Sequence, residues 1–381
     1  MSDYEWQEKA LKNFVNNDGL GIIVAPTGAG KTRLGISAVR YLSSISTTLV
    51  LVHTTVLLNQ WKKELGEVFG SDNVGVYYGS EKNLKFITVG IINSVYNDFQ
   101  KFDNVFDFII YDEVHHIPSN EYKKLLNLGS KYKLGLTATI NRSDELESLI
   151  FEKIGKIVYK YNEEEAQRDG VINKFNLFNV SIKLTDSERI GYDRYSEYIK
   201  NNYAFSKEFK DQHFIIKRVI NARKEIIFKC DNKLLWTTNF VQENVISKKI
   251  IVFNEYNELA TKLYNSLDIK NKFLIHSSIN KKQGIKFLME FSDCDSGVLF
   301  CSKMFDEGLN IVDIDCAIIV SGNSTERQFK QRVGRCLRIK DKIVSIYQLY
   351  CCNTIDEKNC GAKTKFVEDY CSRVYWEEYN V

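Results

Sequence analysis

The chain alternates short apolar runs with helix-like patterns, and it does so twice. The first series of apolar runs covers residues 20–25, 48–52, 86–92, 106–111 and 134–137. The second series covers residues 249–253, 272–275, 297–301, 316–320 and 343–349. Continuous apolar runs of this length, separated by helical patterns, are typical of parallel strands that are buried beneath helices. We therefore predict an α/β protein with two lobes, each a mostly parallel sheet covered by helices.

The segment between the two series is predicted to hold a hinge and a helical arm. It opens with Glu163, Glu164 and Glu165 and the turn residue Gly170. We expect a first lobe over residues 1–160, the hinge and arm over 161–245, and a second lobe over 246–381. Residues 186–232 have a helical pattern that mixes aromatic and basic side chains. Such a segment either stacks bases and neutralises phosphates, or buries an aromatic stripe beneath a solvated basic face.

Composition limits the class of protein. With 381 residues, 44% hydrophobic and 27% charged, the chain is expected to fold into two globular domains. No apolar run is long enough to span a bilayer and the N-terminus is charged, so we expect a soluble, intracellular protein with no membrane partner. The sequence does not distinguish cytoplasm from nucleus. A net charge of +3 means that any nucleic-acid site must be a local patch.

The cysteines do not form the pattern of a secreted disulfide framework. There are nine, an odd number, and none precedes Cys230. Cys351, Cys352, Cys360 and Cys371 lie close together in sequence, but no C-x-x-C pair accompanies them. We interpret them as core and surface thiols in preference to a metal site.

A glycine-rich loop follows the first apolar run. Its residues are Ala25, Pro26, Thr27, Gly28, Ala29, Gly30, Lys31 and Thr32. Between a strand and a helix, such a loop lets backbone N–H groups approach phosphates, while its lysine reaches the terminal phosphates and its hydroxyl binds Mg²⁺. A helix-capping loop without ligand is the structural alternative. We predict an ATP and Mg²⁺ site.

An acidic pair follows a later buried run. Asp112 and Glu113 stand about 80 residues after Lys31, at the end of the apolar run 106–111. A carboxylate at the carboxyl end of a parallel strand faces the same crevice as the phosphate loop. Asp112 is therefore predicted to hold Mg²⁺ and Glu113 to polarise the attacking water, although an acidic pair alone is usually just a strand end.

In order and form, these and further motifs resemble a superfamily 2 helicase of the DExH type, nearest to the XPB and UvsW branch of DNA translocases. Trp6-Gln7 resembles the adenine-reading glutamine motif, and residues 52–61, ending Gln60-Trp61, resemble motif Ia. Residues 136–139 match motif III, 302–315 match motif V and 331–338 match motif VI. The resemblance implies two RecA-like lobes and an ATP-dependent DNA helicase or translocase.

The resemblance also implies the site residues. ATP contacts fall on Gln7, Thr27, Gly28, Ala29, Gly30, Lys31, Thr32, Asp112 and Gly308, with Thr32 and Asp112 as Mg²⁺ ligands. The catalytic residues are Lys31, Asp112, Glu113, Gln331, Arg335 and Arg338, the two arginines acting as arginine fingers. Nucleic-acid contacts fall on His53, Thr54, Gln60, Ser94 and Ser302. His115, Thr137 and Thr139 are expected to couple hydrolysis to movement.

Several positions depart from the family pattern. Ile91 occupies a motif Ib position that usually carries Ser or Thr, Ser143 replaces the glutamate of the tripeptide after motif III, and Asn310 and Val312 replace Asp and Pro in motif V. These losses affect strand separation more than hydrolysis and favour translocation. Two alternatives stay open: an RNA helicase of the DExH type, and a non-unwinding ATP-gated subunit of a larger transcription, repair or restriction assembly.

Overall fold

The computed structural model describes residues 4–42, 46–117, 122–139, 147–203, 210–302, 314–321, 329 and 343–379. Described residues up to Ile172 form one compact unit, and those from Asn173 onward form a second. Each unit is built on one sheet. None of the described helices is both long and apolar enough to cross a membrane.

The first unit contains six helices and eight strands among its described residues. The helices are α1 (Glu5–Asn16), α2 (Lys31–Leu42), α3 (Thr55–Phe69), α4 (Ile92–Asn97), α5 (Glu147–Ile154) and α6 (Glu163–Arg168). The strands are β1 (Leu20–Val24), β2 (Thr48–Val52), β3 (Val74–Tyr78), β4 (Glu81–Lys82), β5 (Ile87–Ile91), β6 (Phe108–Asp112), β7 (Tyr132–Thr137) and β8 (Ile157–Lys160). Their order in the sheet is β4-β3-β5-β2-β6-β7-β1-β8, and all pairs except β3–β4 are parallel.

Strand order in this sheet brings three predicted motifs to one edge. β6, β7 and β1 are neighbours, with Asp112 paired to Leu136 and Val24 paired to Thr137. Because parallel strands end at the same edge, the loop after β1, the acidic end of β6 and the end of β7 lie side by side. The strands are held there by helices packed on a core whose members include Ile22, Ile109 and Val114.

The second unit begins with a strand and a helical segment. Its strands are β9 (Phe175–Ile182), β10 (Lys249–Phe253), β11 (Lys272–Ile275), β12 (Gly297–Cys301), β13 (Cys316–Ile319), β14 (Val344–Cys351) and β15 (Arg373–Tyr379). Its helices are α7 (Asp186–Asn202), α8 (Lys210–Phe228), α9 (Asp231–Asn244), α10 (Asn257–Ser266), α11 (Lys281–Asp293) and α12 (Ile355–Val367). The described strands form a parallel sheet in the order β11-β12-β10-β13-β14-β9-β15.

The predicted fold class is confirmed, and within the segment predicted to be helical the described residues form α7, α8 and the start of α9. That segment starts where predicted because Thr185 caps α7 through a capping box with Glu188. β9 lies inside the range that we assigned to the hinge and arm, and it pairs with β14 and β15 in the second sheet. Of the clustered cysteines, Cys351 and Cys360 are buried free thiols and Cys352 and Cys371 are partly exposed.

Candidate nucleotide site

The loop between β1 and α2 has the backbone of a phosphate cradle. Gly28 and Gly30 have φ values of 87° and 93°, in the left-handed region that a side chain would strain. α2 begins at Lys31 and has no acidic residue in its first turn. A helix N-terminus of this kind presents free N–H groups and a positive dipole end to an anion.

Lys31 points into this loop. Its Nζ donates hydrogen bonds to the carbonyl oxygens of Ala25 at 3.2 Å and Pro26 at 3.4 Å, and lies 3.5 Å from Oε1 of Glu113. The side chain is buried. A terminal phosphate that replaced the two neutral carbonyls would offer this buried cation a stronger acceptor.

The acidic pair occupies the end of β6. Asp112 is 4% exposed, and its Oδ1 accepts the Glu113 backbone N–H at 3.1 Å while its Oδ2 accepts the indole N–H of Trp61 at 2.8 Å. Glu113 has φ 48° and ψ 55°, a left-handed conformation that costs a non-glycine residue about 1 kcal/mol or more. Such strain persists where surrounding contacts dictate it, and here it turns the glutamate towards Lys31.

The two carboxyl groups are in different electrostatic states. Burial raises the pKa of Asp112, and the charge of Glu113 raises it further, while the hydrogen bond from Trp61 acts in the opposite direction. Burial would also raise the pKa of Glu113, but Lys31 and the neighbouring histidines outweigh burial and lower it. Glu113 is thus held as a carboxylate, and a further cation would stabilise the charged form of Asp112.

These donors suit Mg²⁺. The ion prefers hard oxygen ligands, and two adjacent carboxyl groups, Asp112 and Glu113, are available here. Oε2 of Glu113 accepts no hydrogen bond from the residues that the structure describes, although it lies 3.5 Å from Nδ1 of His115. Asp112 and the Thr32 hydroxyl at the start of α2 are the residues that would hold the ion.

The residues predicted to couple hydrolysis to movement form a hydrogen-bonded chain. Nδ1 of His115 is 2.7 Å from Oγ1 of Thr137, which donates to the Thr139 carbonyl at 2.6 Å and accepts the Thr139 N–H at 3.2 Å. With the Thr137 hydroxyl donating to that carbonyl, the tautomer of His115 that carries its proton on Nδ1 completes the chain. A path of direct contacts therefore joins Glu113 to the end of β7.

Gln7 is placed as a brace of the phosphate loop. Its Nε2 donates to the Gly30 carbonyl at 3.0 Å and its Oε1 accepts the Tyr4 N–H at 3.0 Å, and the side chain is buried. A Cβ atom at Gly30 would lie 2.7 Å from this amide nitrogen and would push the Gln7 amide away, and the φ of 93° disfavours a side chain as well. Trp6 stacks on Tyr161 at 4.8 Å. Adenine recognition by Gln7 stays a prediction.

The predicted nucleic-acid contacts are distributed over both units. Thr54 caps α3 by accepting the Leu57 N–H at 3.3 Å, and Gln60 donates to Glu64 at 2.9 Å. The ring of His53 packs 4.4 Å from that of His116, on the side of the acidic pair. Ser94 is half-buried on α4. In the second unit Ser302 is buried and donates to Oδ1 of Asn257.

Four predicted site residues lie outside the described residues: Gly308, Gln331, Arg335 and Arg338. One residue of the site was missed. Trp61 was noted only as part of the motif Ia pattern, yet its indole N–H binds Asp112 across 51 positions of sequence. The available signal was the apolar spacing Leu58, Trp61, Leu65, which places the ring in the core, where an indole N–H usually finds a partner.

Comparisons with known families match both units. Residues 1–142 match the family described as "Type III restriction enzyme, res subunit", and residues 232–340 match the "Helicase conserved C-terminal domain".

Three curated relatives are similar over most of the chain. The "DNA 3′-5′ translocase XPB2" of Sulfurisphaera tokodaii is 31% identical over 92% of this chain and 82% of its own length. The "DNA 3′-5′ helicase XPB" of Kineococcus radiotolerans is 26% identical over 96% of this chain and 62% of its own length. A "General transcription and DNA repair factor IIH helicase/translocase subunit XPB" of Schizosaccharomyces pombe is 26% identical over 88% of this chain and 41% of its own.

Solved structures share the fold. The Hef helicase domain of Pyrococcus furiosus matches with a TM-score of 0.58 and 18% identity, covering 93% of this chain and 98% of the other. A fragment named as an HsdR subunit of a type I restriction enzyme from Vibrio vulnificus matches with a TM-score of 0.66 and 18% identity, covering 98% of this chain and 68% of the other. The likeness shows two RecA-like lobes.

Proposed function

We propose that this chain, which belongs to the XPB family of superfamily 2 DNA helicases and translocases, is an ATP-driven motor that moves along DNA. The observation that carries the proposal is the junction of the phosphate loop with the acidic pair, where Nζ of Lys31 lies 3.5 Å from Oε1 of Glu113. Both groups lie at the carboxyl edge of one mostly parallel sheet, where β7 separates β1, which precedes the phosphate loop, from β6, which ends at Asp112.

The chemistry follows from the side chains at this edge. The α2 N-terminus and Lys31 bind the phosphates of ATP, and Asp112 and Thr32 would hold Mg²⁺, whose positive charge would stabilise the negative charge that develops on the transferred phosphoryl group. Glu113, kept ionised by Lys31, accepts a hydrogen bond from the attacking water and polarises it. Arg335 and Arg338, with Gln331, are proposed to act on the γ-phosphate from the second lobe, and Gly308 to contact the nucleotide.

Nucleic-acid binding is proposed to influence ATP hydrolysis at this site through two groups of contacting residues. His115, Thr137 and Thr139 join the acidic turn to the loop after β7. His53 immediately precedes the cap residue Thr54, and Gln60 lies within α3. Trp61, on the buried face of the same helix, contacts Asp112. We propose that His53, Thr54 and Gln60, together with Ser94 and Ser302, hold a nucleic-acid strand, and that the strand is displaced when ATP is hydrolysed.

DNA is the proposed track, and 3′ to 5′ the proposed direction, because both appear in the names of the archaeal and bacterial relatives. The departures at Ile91 and Ser143 favour translocation over processive strand separation. A subunit of a larger assembly is the second candidate. It is favoured by the Schizosaccharomyces relative, which is named as a subunit of a transcription and repair factor and of which this chain spans 41%.

A triplex-displacement assay tests translocation directly. The protein is loaded on a duplex that carries a third-strand oligonucleotide, and release of that strand is followed with and without ATP. We expect ATP-dependent release that the hydrolysis-deficient Glu113→Gln variant does not support, with weaker separation of a simple fork. Failure to release the third strand at protein concentrations that saturate DNA binding would contradict the proposal.

A further inference from the structure

Trp61 connects three elements of the nucleotide site. It lies on α3, is 0% exposed, and donates its indole N–H to Oδ2 of Asp112 at 2.8 Å. A hydrogen bond between a buried donor and a buried carboxylate is among the stronger kinds, because no water competes for either partner. The bond ties α3 to the end of β6.

The opposite contact of the indole is with the helix that follows the phosphate loop. A Cβ atom at Gly35 of α2 would lie 2.4 Å from Cη2 of Trp61, so the ring packs directly on the backbone of that helix. Any larger residue at Gly35 would push the ring away. Trp61 therefore touches both the helix that begins at Lys31 and the strand that ends at Asp112.

The orientation of the Asp112 carboxylate depends on this contact. Two hydrogen bonds define the orientation, one from the Glu113 N–H to Oδ1 and one from Trp61 to Oδ2. The first comes from the adjacent residue and moves with the strand. The second comes from α3 and fixes the rotation of the carboxylate relative to the rest of the lobe, while each oxygen keeps a lone pair for another partner.

α3 is also the element that carries predicted nucleic-acid contacts. Thr54 caps its first turn, and Gln60 immediately precedes Trp61. A helix moves as a unit. A shift of α3 on binding a DNA strand would therefore change the geometry of the Trp61–Asp112 hydrogen bond. Trp61 is thus placed to connect two events that must be coupled in a motor.

We propose that Trp61 is a positioning residue for Asp112, and that through its indole N–H the helix α3 transmits DNA binding to the Mg²⁺ site. This inference rests on the proposed function, because it takes Asp112 as a Mg²⁺ ligand and α3 as a DNA contact. It adds a residue outside the predicted ligand sets and a route by which the polymer raises turnover.

The principal test is Trp61→Phe, which keeps an aromatic ring against Gly35 and removes only the donor. Mn²⁺ bound with ADP, measured by electron paramagnetic resonance, reports the metal site without turnover. We expect Mn²⁺ affinity to fall on the order of tenfold, as for other groups that orient a metal ligand. We also expect the ratio of DNA-stimulated to basal ATPase rate to fall several-fold, with ADP affinity in the absence of metal unchanged.

A second variant perturbs the ring from its other side. Gly35→Ala places a methyl group 2.4 Å from the present position of Cη2 of Trp61, so the ring must move, and Mn²⁺ affinity and the stimulation ratio should both fall. Trp236→Phe is the matched control. It makes the same exchange at a partly buried tryptophan of the second unit, which stacks on Phe240 at 4.9 Å, and should change neither quantity.

Two results would overturn the proposal. Wild-type Mn²⁺ affinity and stimulation ratio in folded Trp61→Phe would show that the hydrogen bond positions nothing. An equal fall of nucleotide affinity, basal rate and stimulated rate, accompanied by a lower melting temperature, would show a packing role alone. If wild-type protein itself were not stimulated by DNA, the proposed function would fail, and the Mn²⁺ affinities would still decide whether Trp61 positions Asp112.

Discussion

Glu113 combines a left-handed backbone, a partly buried carboxylate and a lysine 3.5 Å away. Glu113→Gln keeps the shape and leaves Asp112 in place, so ATP should still bind while hydrolysis falls by about a hundredfold or more. Lys31→Ala should behave differently and lose ATP affinity, because it removes the cation that faces the terminal phosphates. Nucleotide affinity and turnover, measured separately, distinguish the two effects.

The matched control for Glu113→Gln is Glu290→Gln. Glu290 is exposed on α11 and pairs with Lys286 at 3.6 Å, a surface contact of small energetic value. Its substitution should leave affinity and turnover unchanged. Near-normal hydrolysis in Glu113→Gln would show that the water is polarised by another group.

For single residues, sequence patterns identified those whose role depends on their neighbours along the chain. Lys31 and Glu113 follow buried strands at recognisable spacings, which any reader of the chain can find. The partnership of Trp61 with Asp112 and the brace from Gln7 to Gly30 could not be predicted, because each depends on how elements pack across many residues. The sequence pattern predicts that this tryptophan is buried, but it does not predict which group accepts its N–H.

Among the elements, α9 and α12 are joined by a buried ion pair. Nζ of Lys233 on α9 is 2.6 Å from Oδ2 of Asp356 on α12, and the same oxygen accepts the Cys351 N–H at the end of β14 at 3.0 Å. Burial alone would lower the pKa of Lys233, but the charge of Asp356 outweighs it and raises the pKa. The lysine is therefore charged at neutral pH, and the ion pair links α9 to α12.

Breaking that pair from one side should be costly. Lys233→Met leaves a buried carboxylate without its cation, and we expect a loss of about 3 kcal/mol or more in the free energy of unfolding. Lys233→Met combined with Asp356→Asn should recover most of it, because the amide oxygen still accepts the Cys351 N–H. Urea unfolding of wild type, single and double variants measures both values. A double variant no more stable than the single would contradict this description.

The strands show which patterns predict an element. β2 and β10 are buried throughout, are apolar after their first residue, and have the predicted bounds, Thr48–Val52 and Lys249–Phe253. The strands that were not predicted include β9 and β15, because β9 interrupts its apolar residues with Asn176, Asn179 and Ser181, and β15 is a largely exposed edge strand. These two strands form because they pair with residues distant in sequence, and neither contains a local apolar run that would predict it.

For the whole molecule, the two-lobed catalytic site implied by the family makes a prediction for motif VI. Arg335 and Arg338 lie outside the described residues, so their role rests on the sequence. Replacing either by Ala should spare ATP binding and lower turnover on the order of a thousandfold, since arginine fingers act on charge that develops in the transition state. Lys in place of Arg should rescue poorly, because it lacks the planar fork.

The competing interpretation of motif VI is a solvated basic face. It forecasts unchanged hydrolysis in Arg335→Ala and Arg338→Ala, with weaker and more salt-sensitive DNA binding. ATP affinity, DNA-stimulated turnover and the salt dependence of DNA binding, measured on both variants, separate the two interpretations. Unaltered turnover in both would remove the arginines from the catalytic site.

The ATPase rate measured without polymer and with single-stranded DNA, duplex DNA, a forked junction and RNA tests the central claim most directly. An ATP-driven motor of this family should hydrolyse ATP slowly alone and faster with DNA, because we expect DNA binding to act on the acidic pair through α3 and the end of β7. Stimulation by RNA and by no DNA would reject DNA as the track. Equal turnover with and without every polymer would contradict the motor itself and indicate a phosphate-loop enzyme that acts on a metabolite.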